Sequence, residues 1–149
     1  MLDSLLADLL LLAGTAFLAA TLVPFSSEAL LATLQHRGID PAALWIAATL
    51  GNTLGACLNW QLGRYLLHFS DRRWFPFDTQ QLERAQLSFN RWGLWSLLLS
   101  WVPVIGDPIT FAAGVMRVRF LTFVLMVLLA KGLRYGAVIG ITAGVLATF

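Results

Sequence analysis

Residues 94–115 read LWSLLLSWVPVIGDPITFAAGV. Most are apolar, and at about 1.5 Å per residue a straight helix of this length would cross a hydrocarbon core of roughly 30 Å. Pro103, Gly106, Asp107 and Pro108 interrupt the run at its middle. The prolines lack the backbone donor that a continuous helix needs, and Asp107 brings a carboxylate to membrane depth. The halves, Trp92 to Val102 and Ile109 to Val115, are each too short to span. The stretch therefore predicts a re-entrant hairpin that enters, turns between Pro103 and Pro108, and leaves on the same side. Broken backbone at that depth is tolerated only inside protein or along a cavity, so the turn marks a functional interior.

Outward from this hairpin lie three further apolar blocks: Leu9 to Val23, continuing past a break to Leu34; Ala42 to Leu67; and Phe120 to Phe149. Ala42 to Leu67 carries one charge, Arg64, and is the plainest spanning helix. In the N-terminal block Pro24-Phe25-Ser26-Ser27-Glu28 interrupts apolar sequence as Pro103 to Pro108 does, although the first limb is long enough to span alone. An offset of 79 residues pairs Gly14 with Gly93, Pro24 with Pro103, Glu28 with Asp107 and Asn52 with Lys131. Identity at that offset is near chance. What registers is the helix breakers and the polar residues at membrane depth, the positions an internal repeat would hold.

Composition agrees with a membrane chain: 58% of the 149 residues are hydrophobic and 12% charged, against about 45–50% and 25% in soluble domains. The net charge of +2 is spread between apolar segments rather than gathered in a patch, which sets nucleic acid aside. A lone cysteine, Cys57, forms no internal disulfide or metal cluster, and His36 and His68 lack zinc-ligand spacing, so neither metal nor cofactor is expected. No Lys or Arg precedes Arg37, so a basic signal-peptide region is missing and the first apolar segment is expected to stay. Arg64, Arg72, Arg73, Arg84 and Arg91, with Arg117 and Arg119 after the second hairpin, assign that side to the cytoplasm. With one crossing between them, the two hairpins enter from opposite faces as inverted repeats. The expected architecture is an all-α polytopic membrane protein forming one domain over 1–149. A first hairpin repeat (1–40) leads to a spanning helix (42–67), a cytoplasmic amphipathic linker (68–92), a second hairpin (93–117) and a final transmembrane segment (119–149). Within the linker, Asp78 and Gln81 resemble a capping box, and Leu82, Ala85, Phe89 and Trp92 recur at helical spacing.

Ionisable groups inside apolar blocks cost roughly 2.5–3.5 kcal/mol each to insert, so they point to function. Here they are Glu28, Asp107, Arg64, Lys131 and Arg134. Three positive against two negative charges leave one spare positive, suited to an anionic group such as a lipid phosphate. The blander reading makes Glu28 and Asp107 caps of half-helices; the two readings are compatible. Lys131 and Arg134 lie three apart on one face of the last block, opposite the carboxylates. Arg64, near its helix end, fits either the chamber or snorkelling to headgroups. Asn52 and Asn59, seven apart, put two amides on one stripe, while Gly51, Gly55 and Gly63 fit close helix packing better than ligand binding. Serines without a histidine at membrane depth, and the lack of nucleotide-binding glycine patterns or a carboxylate cluster, leave catalysis without support.

The combination of Pro24-Phe25-Ser26-Ser27-Glu28, Gly51-Asn52-Thr53-Leu54-Gly55 running to Leu62-Gly63-Arg64, and Pro103 to Ala113-Gly114 resembles the DedA family of bacterial inner-membrane proteins, also called SNARE-associated or VTT-domain proteins. Ser26 to Leu31, Arg73-Trp74-Phe75-Pro76 and Gly106-Asp107-Pro108 resemble its short YqaA-type branch. The resemblance implies two opposed re-entrant hairpins and a part in membrane lipid homeostasis; some relatives translocate undecaprenyl phosphate and eukaryotic VTT proteins scramble phospholipids. Glu28 matches the hairpin acid of the family and Arg64 its Gly-Arg ending. Ala56 stands where many members have an acid, and Ser100 and Gly106 where many have arginines linked to proton dependence; Lys131 and Arg134 are candidates to supply that charge. The expected function is transport of an anionic lipid headgroup or polyprenyl phosphate, ion- or proton-coupled, with membrane lipids as partners. A non-transporting scaffold that binds another membrane protein is the alternative. A chain with so few crossings is short of walls for a chamber, which leaves a homo-oligomer open.

Overall fold

The computed structural model describes residues 2–21, 27–66, 79–102 and 105–148. Pro24, Ser26 and Pro103, expected as hairpin breaks, and Asp78, expected in a capping box, lie outside these residues. Every regular element among the described residues is helical: α1 (Leu2–Thr21), α2 (Ser27–His36), α3 (Pro41–Leu66), α4 (Thr79–Trp92), a 3-10 segment (Gly93–Trp101), α5 (Gly106–Val115) and α6 (Phe120–Leu146). Three are long and apolar enough to cross a membrane: α1, α3 over Pro41–Tyr65, and α6. At ten residues each, α2 and α5 reach about 15 Å and cannot. The protein is a multi-pass membrane protein.

The 79-residue offset holds in the backbone from the start of α2 and of α5 onward. Ser27 and Gly106 open α2 and α5, His36 and Val115 close them, and Pro41 and Phe120 open the long helices that follow. After α2, Gly38 N–H bonds to Gln35 O and Ile39 N–H to Leu34 O; after α5, Arg117 N–H bonds to Gly114 O and Val118 N–H to Ala113 O, each 79 positions on. Both turns need a residue at positive φ to return the chain over the last helical carbonyls. Gly38 supplies it at φ 84°, where a missing Cβ costs nothing, whereas Arg117 occupies the same turn at φ 55° against its side chain.

The fold corrects the expected second break. Gly106 and Pro108 are not part of the turn but form the first turn of α5 with Asp107. A proline is harmless there because first-turn N–H groups have no intrahelical acceptor. Gly106 acts instead in close packing: a Cβ on it would collide with the Ser100 carbonyl. The N-cap position of α5 is Ile105, which makes no side-chain bond, and Asp107 follows in the first turn. The limb before the break, read as a helix from Trp92, is a 3-10 segment entered through Gly93 at φ 57°.

Two compact units share the long helices. The first comprises residues 1–55 and 131–149, the second 56–130. In the first, Leu12, Ala16, Leu31, Leu34, Leu44, Ala48 and Tyr135 form the core, and α3 lies so near α1 that a Cβ on Gly51 would collide with the Ala13 backbone. Asp40 caps α3, its Oδ2 accepting from Ala43 N–H at 3.0 Å ahead of Pro41. In the second, Trp60, Phe89, Leu97, Ile109, Phe123 and Val127 are central. Here Gly63 of α3 meets the Phe111 backbone and Gly114 of α5 meets that of Trp60, so neither position has room for a side chain. These contacts give the glycines the packing role expected of them. Phe89 buries α4 against this core, while Leu87 and Trp92 remain exposed.

Candidate functional site

Two consecutive residues of α2 meet two consecutive residues of α6 inside the first unit. Glu28, in the first turn of α2, pairs through Oε1 with Nη2 of Arg134. The two side chains are 28% and 18% exposed, so the pair is largely withdrawn from the surface of the fold. Beside it, the Ser27 and Tyr135 hydroxyls bond at 2.8 Å. Tyr135, fully buried, also accepts from Asn52 Nδ2 at 3.1 Å, and the same amide nitrogen donates to Ala16 O at 2.9 Å. One hydrogen-bonded chain thus ties α1, α3, α6 and α2 together. Its asparagine orientation is fixed, because Ala16 O can only accept.

Lys131 lies on α6 one turn before Tyr135, 2% exposed, and so on the same side of the helix as the Tyr135 hydrogen bonds. The sequence groups Lys131 with Arg134 opposite the carboxylates, and the first unit brings Arg134 to Glu28. Farther along α2, Gln35 Nε2 donates to Ile139 O at 3.2 Å, and Trp45 Nε1 of α3 donates to Gly132 O at 2.8 Å, holding both helices to α6.

The second unit treats its polar residues differently. Asp107 is half-buried in the first turn of α5, the position that Glu28 takes in α2. Its backbone carbonyl accepts from Thr110 Oγ1 at 2.8 Å, and Thr110 Oγ1 accepts in turn from Asn59 Nδ2 at 3.3 Å. The positions 79 residues away from Asn59 and Thr110 are Val138 and Leu31, apolar neighbours of the first core, so the repeat keeps backbone and exchanges chemistry. Arg64 is exposed near the end of α3, its guanidinium 5.3 Å from the Trp60 ring centroid. Among the described residues no group of His, Cys, Asp or Glu could hold a metal ion.

Sequence reasoning missed Tyr135, the hub of the first unit, and the Thr110 link in the second. An uncharged hydroxyl in an apolar helix raises no alarm by itself. The signal was its place directly after Arg134 and one turn from Lys131.

These features define a multi-pass helical membrane protein with an ion pair and a hydroxyl chain held inside its first compact unit. Within that class the chain belongs to the VTT-domain family, whose model matches residues 9–144. It is 38% identical over 130 residues to the inner membrane protein YqaA of Escherichia coli K12, covering 87% of each chain. It is 33% identical over 133 residues to an uncharacterized protein of Haemophilus influenzae, covering 84% of this chain and 81% of that one. More distantly, it is 29% identical over 108 residues to the undecaprenyl phosphate transporter A of Staphylococcus aureus, covering 67% of this chain and 52% of that one. No solved structure matches.

Proposed function

We propose that this protein is a bacterial inner-membrane transporter that moves an anionic lipid headgroup or a polyprenyl phosphate, with the first unit as its anion site. The observation that carries the reading is the Glu28–Arg134 pair: a guanidinium in a long apolar helix, largely withdrawn from the surface of the fold and matched to a carboxylate. An arginine fork binds carboxylate and phosphate in the same geometry, so a lipid phosphate reaching α6 competes with Glu28 for Arg134. Release of the lipid returns Arg134 to Glu28. Lys131 adds a second positive charge on the same helix, and Asp107, at the equivalent turn of the second unit, exchanges protons there. In this reading α2 and α5 are inverted re-entrant limbs, and their ten-residue length supports it. The name of the Staphylococcus relative supports a polyprenyl phosphate as cargo.

Purified protein in liposomes, assayed for headgroup accessibility of a fluorescent phospholipid and of undecaprenyl phosphate, tests the proposal. Movement of either lipid, lost in Lys131→Ala and Asp107→Asn variants of matched folding, is the expected result and names the cargo class. Folded protein that moves neither lipid would replace transport with the scaffold reading.

A further inference from the structure

Thr49, Asn52 and Thr53 lie on one face of α3, at the i, i+3 and i+4 spacing that brings side chains together. They are 3%, 3% and 5% exposed, and Thr49 Oγ1, Asn52 Oδ1 and Thr53 Oγ1 have no hydrogen-bond partner among the described residues. Threonines in apolar helices ordinarily satisfy themselves by bonding back to the preceding turn. Thr15, Thr33 and Thr142 do so, at 2.7, 2.8 and 2.9 Å from the carbonyls of Leu11, Ala29 and Val138. Thr49 and Thr53 forgo that bond, and Asn52 turns its oxygen away from the nitrogen that holds Ala16 and Tyr135. Three buried oxygens left without partners in one turn of helix are costly, and more than nine in ten such groups in folded proteins are satisfied by protein or ordered water.

We propose that this face of α3 binds internal water, giving the first unit a hydrated polar pocket that continues the Ser27–Tyr135–Asn52 chain. The hydrogen-bonding inventory selects water among small ligands. Asn52 Oδ1 only accepts, while each hydroxyl both donates and accepts, so the occupant must do both and find two to four partners.

Radiolytic hydroxyl-radical labelling of the full-length protein in nanodiscs, read by mass spectrometry, tests this, because radiolysis of trapped water oxidises side chains that bulk solvent cannot reach. Tyr135, fully buried, becomes labelled well above Phe123, which is equally buried in the second unit's apolar core, and closer to exposed Tyr65. In Thr49→Val and Thr53→Val variants, whose shape is kept, Tyr135 labelling falls toward the Phe123 level. Tyr135 labelled no more than Phe123 in the unsubstituted protein would overturn the proposal without recourse to any variant. Melting that rises with sodium or potassium but not choline, and loses that rise in Thr49→Val, would overturn it in favour of a cation.

Discussion

Replacing Tyr135 with Phe removes one oxygen and leaves the buried ring in place. Two hydrogen bonds disappear, at 2.8 Å to Ser27 and 3.1 Å to Asn52. Asn52 Nδ2 keeps Ala16 O, but Ser27, 1% exposed, loses its hydroxyl partner. An ordinary intramolecular bond contributes about 0.5–1.5 kcal/mol, and a buried group left unsatisfied costs about 1–3 kcal/mol. The two effects together predict destabilisation of about 2–6 kcal/mol, or a melting temperature lower by at least roughly 4 °C for a chain of this size. Ser27→Ala removes the stranded hydroxyl, so the double variant should recover about 1–2 kcal/mol over the sum of the singles, as a cycle on a directly bonded pair does. Thermal unfolding of the four proteins in one detergent measures this. Additive losses, or a Tyr135→Phe protein that melts like the unsubstituted one, would refute the hydroxyl chain.

Other expectations follow from packing and the repeat. Gly51→Val, which drives a side chain into the Ala13 backbone, should abolish accumulation of folded protein, whereas Gly140→Ala, with nothing within 4 Å of the new Cβ, should be tolerated in the same membrane-fraction assay. Arg117→Gly, giving the second turn the residue that the first has at Gly38, should raise stability by about 0.5–1 kcal/mol in a melting experiment. Arg64→Gln loses only an exposed cation–π contact worth about 0.5–1 kcal/mol and should leave lipid movement intact in the liposome assay.

How far the sequence discloses this molecule depends on the kind of signal each part carries. The repeat is readable from a handful of breakers because Pro24 and Pro103, Glu28 and Asp107 share an offset, and the backbone then follows that offset through its helix ends and capping bonds. Helix existence is equally plain, since α3 and α6 announce themselves by length and hydropathy. Finer geometry is not readable. Gly106 and Pro108 look like breakers, yet a helix accepts both residues in its first turn. Nine residues of 3-10 helix differ too little in period from an α-helix to be told apart by apolar spacing. At the site, charge made Glu28 and Arg134 conspicuous, but only tertiary packing decides that Arg134 meets Glu28 while Arg64 stays outside. Tyr135 and the α3 threonines escape notice because neutral hydroxyls acquire meaning only when burial withdraws water from them.

The central claim is that Glu28 occupies Arg134 in place of a lipid phosphate. Native mass spectrometry of the protein titrated with undecaprenyl phosphate compares Glu28→Gln with Arg134→Gln most directly. The two substitutions should move affinity in opposite directions: Glu28→Gln removes the competing carboxylate and tightens binding, while Arg134→Gln removes the receptor and weakens it. Equal weakening in both, or no change in either, would contradict the account and leave the pair as a structural tie between α2 and α6.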